Sequence, residues 1–137
     1  MNRVFVDTAH WVAVFNPGDP LFETARRAEQ GLTDSILVTT EGVLEEFLNY
    51  YSGGGAFVRE RACRTVETIA SNARVHLVSQ SRHFFIEGLR RYRARPDKSY
   101  SLTDCISMNV MDGLKIRRVL TSDRHFEQEG YEILLKT

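Results

Sequence analysis

Short apolar segments alternate with helical patterns along this chain, and this alternation constrains the fold more than any other feature. Four segments of three or four residues are rich in branched apolar side chains: residues 4–6, 36–38, 75–78 and 119–121. Residues 133–135 are a candidate fifth segment. Stretches with the helical period of apolar residues separate them. The pattern predicts a three-layer α/β/α fold whose central sheet is mainly parallel and has four to five strands.

The length and composition indicate one globular domain. The chain has 137 residues, of which 42% are hydrophobic and 26% are charged. These values are typical of a single domain with its own core, so we expect one domain over residues 1–137. Eighteen basic residues balance eighteen acidic ones. Net charge therefore does not indicate a nucleic-acid partner.

The sequence favours a cytoplasmic location. Cys63 and Cys105 have neither the spacing of a metal site nor the number of a disulfide scaffold, which favours a reducing compartment. The chain enters strand-like sequence directly after Met1, without the pattern of a signal peptide. No apolar run approaches the ~20 residues that a membrane helix needs.

Carboxylates occur where the predicted strands and helices meet. Asp7 directly follows the first predicted strand, Asp123 follows the fourth, and Asp104 lies at the start of a helical pattern. In parallel α/β sheets the ligand crevice lies outside the carboxyl ends of the strands, so Asp7 and Asp123 are expected to share one crevice. A cluster of oxygen ligands without His or Cys would suit a hard divalent cation such as Mg²⁺ or Mn²⁺.

Helix capping is the structural alternative for each of these aspartates. Asp7 and Asp123 both precede helical sequence, where Asp is a favoured N-cap residue. Ser101 and Asp104 have the spacing of a capping box, with Asp in place of the usual Glu or Gln. Capping and metal binding are compatible if one carboxylate oxygen stays free.

Two adjacent glutamates leave a further choice open. Glu45 and Glu46 flank the apolar face of one predicted helix almost equally, and the helical period favours Glu46 only slightly. A charged residue at the edge of an apolar face is usually just solvated.

A locally basic stretch offers a candidate surface for nucleic acid. Residues 90–98 contain several arginines around Tyr92. The alternative is a helix end, where cations interact favourably with the dipole. The candidate RNA-binding residues are Arg82, Arg90, Arg91, Arg93, Lys98 and Arg124.

Other catalytic signatures are absent from the sequence. The four histidines form no HxH or HExxH pattern, which argues against a zinc site. There is no GxSxG nucleophile motif, and Gly53–Gly55 lack the Lys and Ser/Thr that complete a P-loop.

Taken together, these segments resemble a PIN domain and are most similar to the VapC toxins of type II toxin–antitoxin pairs. The matching segments are VFVDT at 4–8, VTTEGVLEEFL at 38–48, SLTDCIS at 101–107, and LTSDRHF at 120–126 followed by Gly130. Each motif alone is loose, but their order and spacing are specific.

The resemblance assigns the family's four acids to Asp7, Glu46, Asp104 and Asp123. The family pattern has its glutamate two residues after the Val-Leu pair, which selects Glu46. The chain departs from it at Gly42, where a bulkier residue is common; we expect little effect.

The resemblance implies an endoribonuclease that depends on Mg²⁺ or Mn²⁺. Asp7 and Asp104 would be the principal metal ligands, and Asp123 would complete the site directly or through water. Glu46 would orient or deprotonate the attacking water. Polar side chains of Thr8, Thr103 and Ser107 fall where the family often has them near the site.

The resemblance also implies partners. They are an RNA substrate such as tRNA or another structured RNA, a cognate antitoxin, and a second copy of the chain in a homodimer. The alternatives are a PIN nuclease of RNA processing that is not a toxin, and a non-catalytic scaffold for a protein partner. Four carboxylates in one site should repel one another and raise at least one pKa when no metal is bound.

Overall fold

A computed structural model describes residues 2–136 and contains a five-stranded, entirely parallel sheet. The strands are β1 (Arg3–Val6), β2 (Ile36–Thr40), β3 (Val75–Val78), β4 (Arg118–Leu120) and β5 (Glu132–Ile133). Their spatial order is β3-β2-β1-β4-β5, and each neighbouring pair is parallel. The predicted parallel sheet is confirmed.

Helices connect the strands and form the two outer layers. They are α1 (Thr8–Phe15), α2 (Phe22–Gln30), α3 (Glu41–Tyr50), α4 (Gly55–Ser71), α5 (Arg82–Ala94), α6 (Leu102–Gly113) and α7 (Arg124–Gln128). Helix α1 contacts α2 and α3, α3 contacts α4, and α5 packs along α6. This arrangement confirms the three-layer α/β/α prediction. Within the described residues, no helix combines the length and apolarity needed to cross a bilayer.

The central strand explains why the short apolar runs become parallel strands. Val4, Phe5 and Val6 of β1 are all completely buried, as are Val119 and Leu120 of β4. A strand covered by helices on both faces needs apolar side chains in both directions, so it has no alternation of polar and apolar residues.

Strand order places a crevice between β1 and β4. From β1 the chain builds β2 and β3 on one side, then returns to build β4 and β5 on the other. Neighbouring parallel strands whose connections leave in opposite directions form a topological switch point, where ligands bind in this class of fold. Asp7 follows β1 there, and residues 121–123 follow β4.

Close packing of α5 on α6 fixes the helix that carries Asp104. Gly88 lies against Ile106, and a Cβ atom at Gly88 would be 2.5 Å from Ile106 Cγ1. Any larger residue at position 88 would push the two helices apart.

Turns set the boundaries of two helices. Asp19 and Pro20 do not begin α2; Asp19 Oδ1 accepts a hydrogen bond from the Leu21 amide at 2.8 Å, and the helix starts at Phe22. Helix α6 ends at Gly113. Lys115 has a φ of 58°, and the Ile116 amide bonds back to the Met111 carbonyl, which closes the helix with a left-handed residue.

Candidate active site

A chain of hydrogen bonds runs along the carboxyl edge of the sheet. Thr121 Oγ1 donates to Asp7 Oδ2 at 2.9 Å and accepts from the Asp123 amide at 3.1 Å. Thr8, the residue after Asp7, donates its hydroxyl to Glu46 Oε1 at 2.6 Å. The ends of β1 and β4 and the helix α3 are thereby joined in one polar site. Sequence analysis missed Thr121, because only strand pairing brings it to Asp7.

Asp104 and Asp123 cap helices and still face each other. Ser101 and Asp104 form the predicted capping box: Asp104 Oδ2 accepts from the Ser101 amide at 3.1 Å. Asp123 Oδ1 accepts from the His125 amide at 2.9 Å and caps α7. One ligand atom from each of Asp104, Asp123 and His125 lies within 4.8 Å of the others. Capping is thus compatible with a shared site.

The capping alternative is wrong for Asp7. Its backbone occupies the N-cap position of α1, but its side chain makes no capping hydrogen bond. The carboxylate instead accepts from Thr121, and only 5% of the residue is exposed. Capping of α1 therefore does not account for this buried carboxylate.

Helix α3 brings Glu46 rather than Glu45 to this site. Glu45 is exposed, whereas Glu46 is half-buried and bonded to Thr8. The negative charge of Glu46 also contributes to raising the pKa of Asp7.

Burial controls protonation in the site. It raises the pKa of Asp7 to about 7, against hydrogen bonds from the Thr8 backbone and Thr121 that lower it; the charges of Asp104 and Glu46 raise it further. Burial also raises the pKa of Asp104, and repulsion from Asp123 adds to this effect. The sequence predicts that at least one carboxylate of the site has a raised pKa, and both Asp7 and Asp104 do. The expected cause is corrected, since desolvation exceeds the repulsion between carboxylates.

His125 is a member of the cluster that sequence analysis did not identify. Its Nδ1 atom lies 3.4 Å from Asp123 Oδ1 and 3.6 Å from Asp104 Oδ2. The expectation of a cluster without histidine is therefore wrong. Patterns that reveal histidine ligands rely on two histidines at helical spacing, whereas this histidine is brought in by the turn that Asp123 caps.

The donor atoms fit a divalent cation. Asp104, Asp123 and His125 contribute two carboxylates and an imidazole, and Asp7 lies beside them across Thr121. On α6, the Ser107 hydroxyl is fully buried and lacks a hydrogen-bond partner within residues 2–136. Convergent acceptors and an unpartnered buried oxygen are the environment that a bound cation or ordered water would satisfy.

Thr103 lies beside the first turn of α3. A Cβ atom at Gly42 would be 3.9 Å from Thr103 Cγ2 and 3.7 Å from Thr40 Oγ1, which are ordinary contacts. The first side-chain atom of a larger residue would therefore fit at position 42; that Gly42 has little effect on function stays a prediction.

The candidate RNA-binding residues differ in how freely they can contact a ligand. Arg91 bonds to Asn109, Asp112, Glu129 and Tyr131, and its side chain is only 18% exposed. Arg91 is thus a structural residue that joins α5 to α6 and to the segment after α7, and we withdraw it from the candidate surface. The side chains of Arg90 and Arg124 are 77% and 78% exposed, in ion pairs on their own helices.

Comparisons with known proteins give a fold but no sequence relative. No family model matches the chain, and no curated protein matches it. VapC20 from Mycobacterium tuberculosis, a toxin that cleaves the sarcin–ricin loop, superposes with a TM-score of 0.84 at 22% identity, over 93% of this chain and 95% of that one. VapBC2 from Rickettsia felis, bound to a DNA fragment from their promoter, gives a TM-score of 0.67 at 11% identity, over 96% of both chains. This chain therefore shares the fold of VapC20 and of the matched chain in the VapBC2 structure.

Proposed function

We propose that this chain is a divalent-metal-dependent endoribonuclease and the toxin of a VapBC-type toxin–antitoxin pair. The observation that carries the proposal is the connected set of acids at the switch point of the sheet. Asp104, Asp123 and His125 lie together there, the buried Thr121 bonds to both Asp7 and the Asp123 amide, and Glu46 bonds to Thr8, the residue after Asp7. A structural role would not require Asp7 to be buried with a raised pKa.

Asp7, Asp104 and Asp123 are the proposed metal ligands, and Mg²⁺ or Mn²⁺ the proposed ion. When bound, the ion would lower the pKa of a water molecule and neutralise charge that develops on the scissile phosphate. Asp7 must lose its proton to bind a cation. Since its pKa is raised to about 7, metal affinity should fall as the pH drops below neutral.

Glu46 is the proposed general base. The bond from the Thr8 hydroxyl holds one of its carboxylate oxygens, so the other can accept a proton from an attacking water. Thr121 holds Asp7 in place through its own hydroxyl. Thr103 and Ser107 remain proposed supports of the site.

The proposed RNA surface lies at the end of α5 nearest the site. Lys98 precedes Ser99, whose hydroxyl is 3.3 Å from His125 Nε2, and Arg93 is exposed in the last turn of α5. Arg82 lies in the first turn of the same helix, roughly 16 Å away. Phosphate contacts supply most non-specific affinity for RNA, so cations beside the acids are the ones expected to matter most.

The proposal also includes two partners, an antitoxin and a second copy of the chain in a homodimer. The proposed location is the cytoplasm. The VapBC2 structure supports an antitoxin partner by analogy of fold. Tyr50 and Phe57 are 65% and 75% exposed and lie near the junction of α3 and α4, which makes them candidates for such a contact.

Cleavage of defined RNAs tests the proposal. The chain would be incubated with Mg²⁺ or Mn²⁺ and either tRNA or an RNA that carries a sarcin–ricin loop. We expect discrete cleavage that EDTA abolishes and that Asp7→Asn and Asp104→Asn abolish in parallel preparations. Cleavage that survives both EDTA and Asp7→Asn would refute the metal-dependent mechanism. Metal binding without cleavage of any RNA would instead favour a non-catalytic scaffold.

A further inference from the structure

We propose that His125 is a metal ligand through Nδ1, and that it gives this site a preference for Mn²⁺ over Mg²⁺. The inference rests on the proposed metal-dependent function and names a ligand and a selectivity that the four acids alone do not supply.

Contacts on the outer side of the ring hold Nδ1 toward the acids. Ser99 Oγ lies 3.3 Å from Nε2, within reach of a hydrogen bond. The Tyr100 ring packs edge-on against the imidazole, with centroids 5.2 Å apart, and its hydroxyl donates to Glu129 at 2.8 Å. A histidine ligand characteristically donates its second ring N–H to a neighbouring acceptor, which fixes its tautomer. Ser99 is placed to accept that hydrogen here.

In that tautomer Nδ1 carries a lone pair directed at two carboxylates. Nδ1 is buried and makes no hydrogen bond within residues 2–136, although the oxygens of Asp104 and Asp123 lie at 3.6 and 3.4 Å. Nδ1 and the two carboxylate oxygens are all acceptors, so they repel one another when nothing lies between them. A cation between them would attract all three.

The distances of 3.4 and 3.6 Å from Nδ1 to the two carboxylate oxygens fall between those of neighbouring and opposite atoms in a coordination shell. In an octahedral shell with bonds of about 2.1 Å, neighbouring ligand atoms lie roughly 3 Å apart and opposite ones roughly 4 Å apart. The three ligand atoms lie within 4.8 Å of one another. The two oxygens nearest Nδ1, Asp104 Oδ2 and Asp123 Oδ1, also accept the capping hydrogen bonds, and each carboxylate keeps further lone pairs available for a cation.

An imidazole ligand changes which ion the site favours. Mg²⁺ prefers oxygen ligands, whereas imidazole nitrogen suits first-row transition metals. A shell of two carboxylates and one imidazole should therefore bind Mn²⁺ more tightly than a shell of carboxylates alone, with little gain for Mg²⁺.

Pulsed electron paramagnetic resonance of the Mn²⁺-loaded chain tests the assignment directly. Wild type should show nitrogen hyperfine modulation from a coordinated imidazole. His125→Asn should lose the modulation and bind Mn²⁺ roughly tenfold or more weakly by calorimetry, with a much smaller change for Mg²⁺. His76→Asn, at an exposed strand position, is the matched control and should behave as wild type.

The outcomes separate this inference from the proposed function. Bound Mn²⁺ that Asp104→Asn removes, but that shows no nitrogen modulation in wild type, overturns the His125 assignment and leaves the metal-dependent nuclease intact. Absence of any Mn²⁺ binding by wild type overturns both. Because the decisive spectrum is that of wild type, the test does not depend on a variant that folds.

Discussion

The Thr121 hydroxyl donates a hydrogen bond to the carboxylate of Asp7 at 2.9 Å, across 114 positions of sequence. The two residues follow the adjacent strands β4 and β1, and the Asp7 amide also bonds to the Leu120 carbonyl. The same hydroxyl accepts the Asp123 amide. One buried side chain therefore sets the positions of two proposed metal ligands.

Replacement of Thr121 by valine should damage both stability and cleavage. The change keeps the shape of the side chain but removes the donor to a buried carboxylate, which should cost about 1–3 kcal/mol in the free energy of unfolding. Displacement of Asp7 and Asp123 should lower kcat roughly 10–100-fold. Thr121→Ser keeps the hydroxyl and should retain most activity. Denaturant unfolding and RNA cleavage measure the two effects; wild-type behaviour of Thr121→Val would show that the bond is incidental.

Asp7→Asn should stabilise the protein in a pH-dependent way. The pKa of Asp7 is about 7 in the folded chain, against the ordinary aspartate value of 3.8. Between these values the folded state keeps a proton that the unfolded state loses, so stability falls as the pH rises from about 4 to 7 and stays low above it. Asparagine has no carboxyl group to ionise, so Asp7→Asn should avoid this loss of stability, which is on the order of 2–4 kcal/mol at pH 8.

The Tm of wild type and of Asp7→Asn would be measured without metal at about pH 4.5 and about pH 8, which are roughly the two ends of the Asp7 titration. The gain in Tm should be larger at pH 8. Asp34→Asn, at an exposed turn position, is the control and should show no such difference. Equal shifts at both pH values would mean that burial does not hold Asp7 protonated.

Glu46→Gln and Glu45→Gln should separate the two adjacent glutamates. Glu46 bonds to Thr8 within the site, whereas Glu45 faces solvent. Loss of a general base should lower kcat by roughly 10²–10⁴-fold, whereas Glu45→Gln should stay near wild type. Single-turnover cleavage at saturating RNA gives the comparison. A large loss in Glu45→Gln alone would place the wrong face of α3 in the site.

Lys98→Glu should weaken RNA binding and reduce its dependence on salt. A removed phosphate contact lowers the slope of log K against log salt by about one. Lys115→Glu reverses the same charge near the start of β4, at the opposite edge of the sheet, and serves as the control. Affinity measured with catalytically inactive Asp104→Asn as the background avoids cleavage. Identical slopes for the two reversals would exclude the α5 end as the RNA surface.

Arg91→Ala should destabilise the fold, and Arg90→Ala should not. Arg91 is 18% exposed and pairs with Asp112 and with Glu129, whose side chain is 13% exposed. Removing the Arg91 side chain leaves the mostly buried Glu129 with one cation fewer. The free energy of unfolding should fall by about 3 kcal/mol. Arg90 is 77% exposed in a pair on its own helix. Denaturant midpoints report the difference; a stable Arg91→Ala with weakened RNA binding would restore Arg91 to the RNA surface.

Local patterns were enough to predict much of this molecule. The apolar run at 4–6 predicts a buried strand because a strand covered on both faces has no polar side, and Val4, Phe5 and Val6 are indeed fully buried. The Ser101–Asp104 spacing predicts a capping box because the two groups lie one helical turn apart, and the box is formed. The placement of Asp7 after β1 follows from the same reasoning.

Tertiary structure alone decided how these parts combine into a site. Thr8 meets Glu46 across 38 positions, Thr121 meets Asp7 across 114, and Arg91 becomes a half-buried ion-pair residue rather than a free cation. Each contact depends on the rotation of a helix or on which strands are neighbours, and both are set by packing of the whole core. Short-range spacing carries information about one helix or strand at a time. It therefore specified the strands, the caps and the carboxylate at the end of β1, whereas the partners of that carboxylate required the folded chain.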